Sequence, residues 1–598
     1  MAWYDEAVFY HIYPLGLAGA PKQNDYGEPV HRLNTLLPWV DHIKEIGGSA
    51  LYIGPLFESV GHGYETTDYK KLDSRLGTNE DLTAFVAYCH EQGINVIFDG
   101  VFNHTGRDFF AFKDIQANRE NSQYKDWYCN VNFWGNNEYN DGFSYDNWGG
   151  YNLLVKLNQK NPAVVDYICD VIRFWVSEFD VDGIRLDAAD VLDFDFMKAL
   201  RRTANEVKPE FWLMGEVIHG DYSRWVNGET LHSVTNYTLH KALYSGHNDH
   251  NYFEIAHTVR RLQNMGTLKL YNFVDNHDVE RIYTKLTNKA HFAPVHVLLY
   301  TLPGVPSIYY GSEFGIEGRK EYGSDDSLRP ALNIEDYKDS VKTNPCTALI
   351  AALGKVRQAV PALSYGSYDE LMLTNRQFAY ARDLDGTRVI VSVNNDDAPA
   401  GMHLAAGNCA AYIGALSGEK VSVQDGHINI TQPANSGEIW VPEGTDLNVK
   451  PVKAQGVNVE NTNSINTNIE ASSVDTEKAT DMVVEDTQSE TTKAEDTKAA
   501  APKAETTKTA SENTASETTA KESESESTPN ATASDNPADP ETITVDWSKS
   551  PESMTVPELQ AAVLAKLSGN GPVDAQMKKT VTDNIRHDSL VNWPKSFR

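Results

Sequence analysis

The chain has 598 residues, of which 40% are hydrophobic and 23% are charged, and its formal net charge is −32. This composition is ordinary for a folded protein, and the length predicts about two to four structural units. The negative charge argues against nucleic acid and anionic membrane surfaces as binding partners, because like charges repel.

The amino terminus reads MAWYDEAVFYHIYPL and lacks the basic segment and the long apolar segment of a secretory signal. No stretch of the sequence is apolar over a length that could span a bilayer. The five cysteines are few, odd in number and widely spaced, so we expect free thiols. Because a reducing compartment keeps thiols free, these features predict a cytoplasmic protein without a membrane partner.

Eight short apolar runs rich in Val, Ile and Tyr occur before residue 335, separated by amphipathic helical stretches. Alternating strands and helices are typical of βα units, and eight parallel strands close a (β/α)8 TIM barrel. Glycines that would end helices precede several runs, as in EIGGSALYI and EQGINVIF. The predicted strands lie within residues 8–15, 49–57, 94–104, 181–189, 211–218, 232–239, 268–278 and 305–315.

One connection of this barrel is far longer than the others. Roughly fifty residues rich in Trp, Tyr, Asn and Gly separate the third strand from the next helix, and a loop of that length is usually a functional excursion. We therefore predict that residues 1–104 and 158–335 form the barrel and that residues 105–157 form an inserted domain, domain B.

The helical rhythm stops after about residue 335. Segments such as FAYARDLDGTRVIVSVNNDD predict antiparallel strands with tight turns, so we assign residues 336–447 to a C-terminal β domain. Residues 448–545 are acidic and too poor in apolar groups to offset the entropy of ordering, which predicts a disordered tether. A capping-box pattern in residues 546–598 predicts a small helical segment that could dock a protein partner.

Polar side chains cluster where the predicted strands end. Active sites of these barrels lie at the carboxyl ends of the strands, so we expect these side chains to converge on one mouth. Any one of them could be structural, but their joint placement predicts a catalytic site. The clustered polar residues are Asp99, Asn103 and His104 of strand three, Arg185 and Asp187 of strand four, Glu216 of strand five, and Asn276, His277 and Asp278 of strand seven.

Several segments resemble those of one enzyme family. DGVFNH, GIRLDAADV, GEVIH and FVDNHD look like the four sequence regions of the α-amylase family of glycoside hydrolases (family 13). LVKLN is similar to a further region, in the form typical of the neopullulanase, cyclomaltodextrinase and maltodextrin-hydrolase branch, and HGYETTDY and GVPSIYYGSEFG also match. The resemblance covers roughly residues 4–445 and implies a glycoside hydrolase that acts on α-glucans.

The resemblance assigns roles to the carboxylates. A retaining glycosidase needs a nucleophilic and a proton-donating carboxyl group about 5–5.5 Å apart. The resemblance makes Asp187 the nucleophile, Glu216 the general acid and base, and Asp278 the third carboxylate. Because Arg185 lies on the same strand face as Asp187, we expect it to lower the pKa of that carboxyl group. We expect apolar neighbours such as Trp212, or the other carboxylates, to raise the pKa of Glu216.

Further residues are implied to bind the sugar at the cleavage point. His104 and His277 resemble its hydrogen-bonding partners, and Tyr64 would stack on the apolar face of its ring. Asp99 would support the site through Arg185.

No cofactor is expected. Asn103 matches a position that holds calcium in many relatives, but a side chain that ties domain B to the barrel is the interpretation we favour. No other residue of a calcium site can be picked out from the sequence.

Departures from the family pattern bear on the substrate. Amylases often carry Lys-His where this chain has Asp190 and Val191, and relatives of the named branch usually carry Trp where it has Ile218. Those relatives also have an N-terminal β domain that builds a dimer, which we expect to be missing here. We therefore expect cleavage of α-1,4 bonds, with α-1,6 bonds as a further linkage, in maltooligosaccharides, cyclodextrins or starch-derived dextrins.

Two alternatives stay open at this point. An α-glucanotransferase would use the same intermediate with a sugar in place of water as the acceptor. A non-catalytic glucan-binding relative would use the fold alone, but such proteins lose at least one of the carboxylates that are all present here.

Overall fold

The computed structural model describes residues 2–266, 268–321 and 324–447 together with residues 449 and 452. The acidic tether predicted at 448–545, apart from those last two residues, and the helical segment predicted at 546–598 lie outside the described residues. No described helix is both long enough and apolar enough to cross a membrane.

Each of the eight predicted runs contains a strand of one parallel sheet, which confirms the predicted barrel. The strands are short and buried along almost their whole length, as parallel strands covered by helices must be. They are β1 (Phe9–Ile12), β2 (Ala50–Ile53), β3 (Asn95–Gly100), β4 (Gly183–Leu186), β5 (Trp212–Gly215), β6 (Ser233–Val234), β7 (Tyr271–Asn272) and β8 (Val305–Tyr309).

The strands follow one another around the barrel in chain order. The hydrogen-bonded order is β6-β5-β4-β3-β2-β1-β8-β7. A parallel bridge between Thr235 and Tyr271 joins β6 to β7 and closes the ring. Because all eight strands are parallel, their carboxyl ends lie at one rim.

Helices pack around the barrel and join it to the rest of the chain. The α-helices are α1 (Pro14–Leu17), α2 (Leu37–Glu45), α3 (Asn79–Glu91), α4 (Phe110–Asn118), α5 (Pro162–Phe179), α6 (Phe194–Val207), α7 (Tyr237–Asn248), α8 (Tyr252–Asn264), α9 (Ile282–Lys285), α10 (Phe292–Thr301), α11 (Ser340–Thr343), α12 (Pro345–Ala359) and α13 (Ala362–Tyr365). Short 3-10 turns span Trp3–Asp5, Arg32–Leu36, Arg119–Asn121, Lys125–Trp127, Ala189–Val191, Tyr222–Arg224, Lys289–His291, Ser312–Phe314, Asp326–Leu328 and Ile334–Tyr337.

The alternation of strands and helices fails at one point. Between β5 and β6 the chain forms only the 3-10 turn Tyr222–Arg224, and Gly220 there has a φ of +122°, which a helix does not accommodate. Elsewhere the predicted helix stops are present. Gly47 after α2 and Gly93 after α3 adopt left-handed conformations, with φ of +80° and +76°, and turn the chain into β2 and β3.

The long third connection folds into an excursion with its own small core. Strands His104–Thr105, Asn147–Trp148 and Tyr151–Lys156 form an antiparallel sheet, and α4 packs beside it. The buried aromatic core of the excursion consists of Phe112, Tyr128, Phe143 and Tyr145. After β2, a second insertion forms the hairpin Phe57–Ser59 and Thr66–Leu72.

A C-terminal β domain follows the barrel, as predicted, but its first strand begins at Ser367 and not near residue 336, because the helices α11, α12 and α13 occupy residues 340–365. Its strands are β9 (Ser367–Leu373), β10 (Gln377–Leu384), β11 (Thr387–Asn394), β12 (Ala400–Ala405), β13 (Ala411–Gly414), β14 (Lys420–Ser422), β15 (His427–Gln432) and β16 (Ser436–Pro442). Six of them form a sheet in the order β9-β10-β11-β16-β13-β14, and β12 pairs with β15. The contacts of this domain extend to Val452, whose N–H donates to the Leu416 carbonyl oxygen at 2.7 Å.

Candidate active site

One buried guanidinium organises the mouth of the barrel. Nη1 of Arg185, on β4, lies 2.9 Å from Oδ1 of Asp99 and 3.1 Å from Oδ1 of Asp187. Nη2 of the same side chain lies 3.0 Å from Oε2 of Glu216. Asp99 is the register partner of Arg185 across the β3–β4 pair. Three carboxylates from three neighbouring strands thus share one cation, which compensates for their removal from water.

The strand ends place two of these carboxylates. Asp187 and Glu216 are the first residues after β4 and β5, and the N–H of Glu216 continues the ladder by donating to the Leu186 carbonyl at 2.9 Å. The N–H of Ala188 donates to Oε2 of Glu216 at 3.1 Å. Ala188 has a φ of +47°, an uncommon conformation for a residue with a side chain that turns its N–H toward the acid.

Asp278, the third carboxylate that the resemblance implies, is held from the other side of the mouth. Oδ1 of Asp278 lies 2.9 Å from Nη2 of Arg329, in the loop after β8, and its Oδ2 lies 3.1 Å from Nε2 of His277. Asn276 accepts the backbone N–H of Asp278 at 2.8 Å. The Asp278 side chain is about one third exposed, at 34%, so it faces the open cleft more than Asp187 does, at 10%.

Three further residues expected at the sugar ring meet one another. The Tyr64 hydroxyl donates to Oδ2 of Asp99 at 3.2 Å and contacts Nε2 of His277. The two rings are parallel, with centroids 5.7 Å apart. Nε2 of His104 donates to the Tyr64 carbonyl oxygen at 3.1 Å. Tyr64 therefore links the third and seventh strands across the barrel.

Burial and neighbouring charges act on the pKa values of the carboxyl groups at the mouth. Burial raises the pKa of Asp99, Asp187 and Glu216, and Arg185 opposes that effect at each of them. The upward pKa shift at Glu216 has the expected direction. At Asp187 the expectation of a lowered pKa is wrong, because burial and the neighbouring carboxylates outweigh the attraction of Arg185 and the pKa lies well above its ordinary value.

Of the two causes expected for the Glu216 shift, the neighbouring carboxylates contribute and Trp212 does not. Trp212 is the first residue of β5 and stacks on Phe9 at the amino end of the barrel, with ring centroids 5.0 Å apart. The pKa of Glu216 is raised by its own burial and by the negative charges of Asp278 and Asp99. The carboxylates at the mouth therefore add to the effect of burial, as expected, whereas Trp212 lies at the opposite end of its strand.

The two histidines at the mouth are neutral near pH 7. Burial lowers the pKa of His104 to about 3. Burial and the positive charge of Arg329 hold the pKa of His277 well below its ordinary value. Neutral imidazoles can donate and accept hydrogen bonds to hydroxyl groups without adding charge.

These side chains line a cleft of about 330 Å³ at the mouth. Its walls come from the barrel loops and from the excursion after β3. The lining residues are His62, Tyr64, His104, Trp148, Leu154, Asp187, Ala188, Asp190, Glu216, Ile218, Asp278, Asp325 and Arg329. Arg185, Asp99 and His277 lie behind this lining and hold it in place.

Sequence reasoning missed several supporting residues. Arg329 stands in the loop segment DDSLRP, where a single charge has no distinguishing pattern. Tyr52 donates to Oδ2 of Asp99 at 2.7 Å, and its hydroxyl group inside the buried run SALYIGPLF could have indicated an inward polar contact. Tyr237 donates to Oε1 of Glu216 at 3.4 Å and accepts from Asn276 at 3.1 Å.

Asn103 is fully buried where the excursion leaves the barrel. Its carbonyl oxygen accepts the Leu157 N–H at 3.0 Å. Its amide group lies 3.2 Å from Nδ1 of His104 and 3.5 Å from Nε2 of Gln159. Both side-chain neighbours are nitrogen atoms, whereas calcium takes six to eight oxygen ligands, so the groups around this side chain do not fit a calcium ion.

The sequence matches the family model for the α-amylase catalytic domain over residues 31–355. A cyclomaltodextrinase of Bacillus sp is 31% identical over 422 residues, which cover 66% of this chain and 74% of that protein. Neopullulanase 2 of Thermoactinomyces vulgaris is 28% identical over 473 residues, covering 73% of this chain and 78% of its own.

Solved structures show the same likeness. A cyclomaltodextrinase structure superposes with a TM-score of 0.66 at 26% identity and covers 73% of this chain and 78% of its own. The acarbose-soaked debranching enzyme of Nostoc punctiforme gives a TM-score of 0.62 at 26% identity and covers 73% of this chain and 98% of its own.

Proposed function

Because the chain belongs to the α-amylase family and is thus a glycoside hydrolase, we propose that it cleaves α-1,4-glucosidic bonds by a double displacement that retains the anomeric configuration. The observation that carries this proposal is the shared guanidinium of Arg185, which binds Asp187 through Nη1 and Glu216 through Nη2. Two carboxyl groups on one guanidinium favour the short separation of retaining enzymes, about 5–5.5 Å, over the ~6.5–9.5 Å of inverting ones.

In the first step, Asp187 attacks the anomeric carbon and forms a glycosyl ester, while Glu216 donates a proton to the departing oxygen. The raised pKa of Glu216 favours the protonated form that this donation requires. In the second step, ionised Glu216 accepts a proton from water, which attacks the ester and frees Asp187. Arg185 opposes the upward shift of the Asp187 pKa and in that way favours the ionised form that the attack requires.

The remaining residues bind and distort the sugar. Asp278, fixed by Arg329, would accept hydrogen bonds from sugar hydroxyl groups and stabilise positive charge that develops on the ring. Neutral His104 and His277 would bind other hydroxyl groups, and Tyr64 would stack on the ring.

We propose that turnover needs no added metal ion and that Asn103 ties the excursion to the barrel through Leu157 and Gln159. Activity should survive treatment with a chelator at millimolar concentration. Activity that is abolished by the chelator and restored by calcium would contradict the proposal.

The names of the relatives suggest the substrates. Cyclomaltodextrinase and neopullulanase indicate maltooligosaccharides, cyclodextrins and starch-derived dextrins, with α-1,6 bonds as a second linkage. Product analysis on maltotriose, β-cyclodextrin, pullulan and soluble starch would rank these substrates. Products longer than the starting oligosaccharide would instead identify a glucanotransferase.

The roles of the two central carboxylates can be separated with an α-glycosyl fluoride, whose leaving group needs little acid help. Glu216→Gln should form the glycosyl ester from the fluoride and accumulate it, because the second step lacks its base. Added azide needs no base, so it should release an α-glycosyl azide from the Asp187 ester. Asp187→Asn should give no α-azide.

Glu210→Gln is a matched control, since the same substitution then lies at an exposed residue just before β5. It should behave as the unmodified enzyme does. A β-azide from Glu216→Gln would show that Asp187 is not the nucleophile.

A further inference from the structure

The smaller sheet of the β domain has one buried face and one exposed face. It consists of β12 and β15, which within the described part of the chain pair only with each other. Met402 and Leu404 of β12 and Ile428 and Ile430 of β15 are buried, and they pack against side chains of the larger sheet of the domain. Because side chains alternate along a strand, the residues between them face solvent.

Two histidines stand together on the exposed face. His403 lies opposite Asn429 in the register of the two strands, and His427 lies opposite Ala405. His403 and His427 are therefore diagonal neighbours on one face of the sheet. Their rings are nearly parallel, with centroids 4.1 Å apart. His403 is exposed and His427 is half-buried, so the sheet presents two adjacent imidazoles to solvent.

Hydrogen bonds fix which nitrogen of each ring carries the proton. Nδ1 of His403 lies 2.8 Å from Oδ1 of Asn429, and Nδ1 of His427 lies 2.9 Å from the carbonyl oxygen of Asp425. Because these oxygens only accept hydrogen bonds, Nδ1 of each neutral ring donates and the lone pair lies on Nε2. Histidines that bind a metal ion through one nitrogen usually donate the other N–H to a carbonyl or carboxylate group in this way.

We propose that His403 and His427 bind one divalent transition-metal ion of the Zn²⁺, Ni²⁺ or Cu²⁺ class through their Nε2 atoms, with water molecules as the remaining ligands. Imidazole nitrogen suits these ions, whereas Ca²⁺ and Mg²⁺ take oxygen ligands. Among the residues that the structure describes, no group of three or more His, Cys, Asp or Glu side chains could hold a metal ion. The proposed site therefore has two protein ligands and leaves the other positions to solvent.

The spacing of the two rings is compatible with one shared ion. Bonds from zinc to imidazole nitrogen are about 2.0–2.1 Å long, so one ion joins two nitrogens that are up to about 4 Å apart. The parallel rings must tilt toward each other to direct both lone pairs at the ion. Rotation of a histidine ring about its Cβ–Cγ bond has a broad energy profile, and the exposed Asn429 can move with His403. The bound ion then cross-links β12 to β15.

Calorimetric titration of the full chain with nickel chloride tests the site. The unmodified protein should bind nickel with an affinity that His403→Gln and His427→Gln each abolish, since either change leaves a single imidazole on this face. Asn429→Ala should weaken the binding by about tenfold, because a ligating histidine loses the partner that orients its ring. Calcium chloride should produce no binding that any of these substitutions changes.

His257→Gln is the matched control, since His257 is an exposed histidine of α8. It should leave nickel binding unchanged. The site is overturned if the unmodified protein does not bind nickel, if binding survives in both His403→Gln and His427→Gln, or if it falls equally in His257→Gln. The titration requires no turnover, so its result is independent of the proposed hydrolysis.

Discussion

Two buried arginine sites of this molecule solve the same problem in opposite ways. At the barrel mouth, Arg185 is surrounded by the carboxylates of Asp99, Asp187 and Glu216. Between the barrel and the β domain, Arg382 is equally buried, but among the residues that the structure describes it donates only to backbone carbonyl oxygens, at 2.6 Å to Thr301 and 2.9 Å to Gly366. The partners of Arg382 are therefore carbonyl dipoles, whereas those of Arg185 are charged carboxylates.

A neighbouring arginine belongs to the second kind of site. Arg357 of α12 donates to the carbonyl oxygens of Tyr300 and Gly304 at 2.8 and 2.7 Å. Thr301 and Tyr300 are the last residues of α10, so Arg357 and Arg382 bind the end of a helix where cations are favourable. These arginines hold the β domain and α12 on the barrel.

The difference between the sites is visible in their proton affinities. Burial lowers the pKa of Arg357 to about 9 and that of Arg382 to about 10. Burial acts on Arg185 in the same direction, but Asp99 and Glu216 outweigh it and hold the pKa of Arg185 well above its ordinary value. The mouth thus contains more negative charge than one guanidinium can neutralise. This excess lowers the stability of the fold and supplies the reactive carboxylates. At the domain junction, the buried arginines serve stability alone.

The largest expected effect is on kcat and follows from removing one of the carboxylates at the mouth. Asp187→Asn should lower kcat by about 10⁴-fold or more, because no glycosyl ester can form. The same change should raise the thermal midpoint at pH 7, since the folded protein no longer has to bury that anion. Steady-state kinetics and thermal unfolding of the two proteins, compared at one pH, measure both effects.

The sign of the stability effect depends on pH in a defined way. The folded-state pKa of Asp187 is raised above the ordinary 3.8. Its contribution to stability is therefore fully present below about pH 3.8 and is lost as pH rises through the folded pKa. The stability gain in Asp187→Asn should accordingly vanish in acid and appear toward neutral pH. A gain that is largest in acid would contradict this account.

The second effect concerns stability alone. Arg382→Met should lower the free energy of unfolding by about 2–4 kcal/mol, because buried carbonyl groups at Thr301 and Gly366 lose their donor. The kcat of the folded enzyme should stay unchanged. Arg376→Met is the control, since Arg376 lies in the same domain but is 40% exposed and pairs with Asp396 at 3.6 Å. Exposed pairs of this kind contribute about 0–1 kcal/mol. A loss of kcat in Arg382→Met would mean that the junction also positions the mouth.

The contrast between the two sites explains how far the sequence could be interpreted. The barrel strands were predictable because buried parallel strands are continuous apolar runs. The active site was predictable because a charged side chain at the end of such a run, as at Arg185 and Glu216, must be paired with an opposite charge or have a chemical role. Trp212 was misplaced because four residues of strand, about 13 Å, separate it from Glu216.

Other features left no local pattern to find. The lack of an α-helix between β5 and β6, the approach of Arg329 to Asp278 and the carbonyl partners of Arg382 depend on where distant loops and helix ends meet. A lone arginine looks the same in a sequence whether it will bind a carboxylate or a helix end. Tertiary contacts decide between the two.

The third prediction tests the crowding of charge at the mouth through the pH profile. Asp99 raises the pKa of both Asp187 and Glu216. In Asp99→Asn, Asp187 should ionise at lower pH and Glu216 should lose its proton at lower pH. Both limbs of the kcat/KM profile, recorded from about pH 4 to about pH 9, should therefore move toward acid. Limbs that move apart, or toward alkaline pH, would show that Asp99 acts only by positioning Arg185.

The smallest expected effect lies furthest from the mouth. A chain that ends at residue 447 loses the hydrogen bond from Val452 to Leu416 and the partly buried side chains of Val449 and Val452, whereas a chain that ends at residue 453 keeps them. The first should be less stable than the second by about 1 kcal/mol, the worth of one hydrogen bond and a partial contact.

Every side chain assigned to the mouth precedes residue 330, so both chains should retain the kcat of the full-length protein. Unfolding in urea and kinetics on one maltooligosaccharide measure the two quantities. A drop in kcat for both chains would show that residues beyond 453 take part in catalysis, and a drop only for the shorter chain would show that the β domain, through Leu416, supports the mouth as well as the junction.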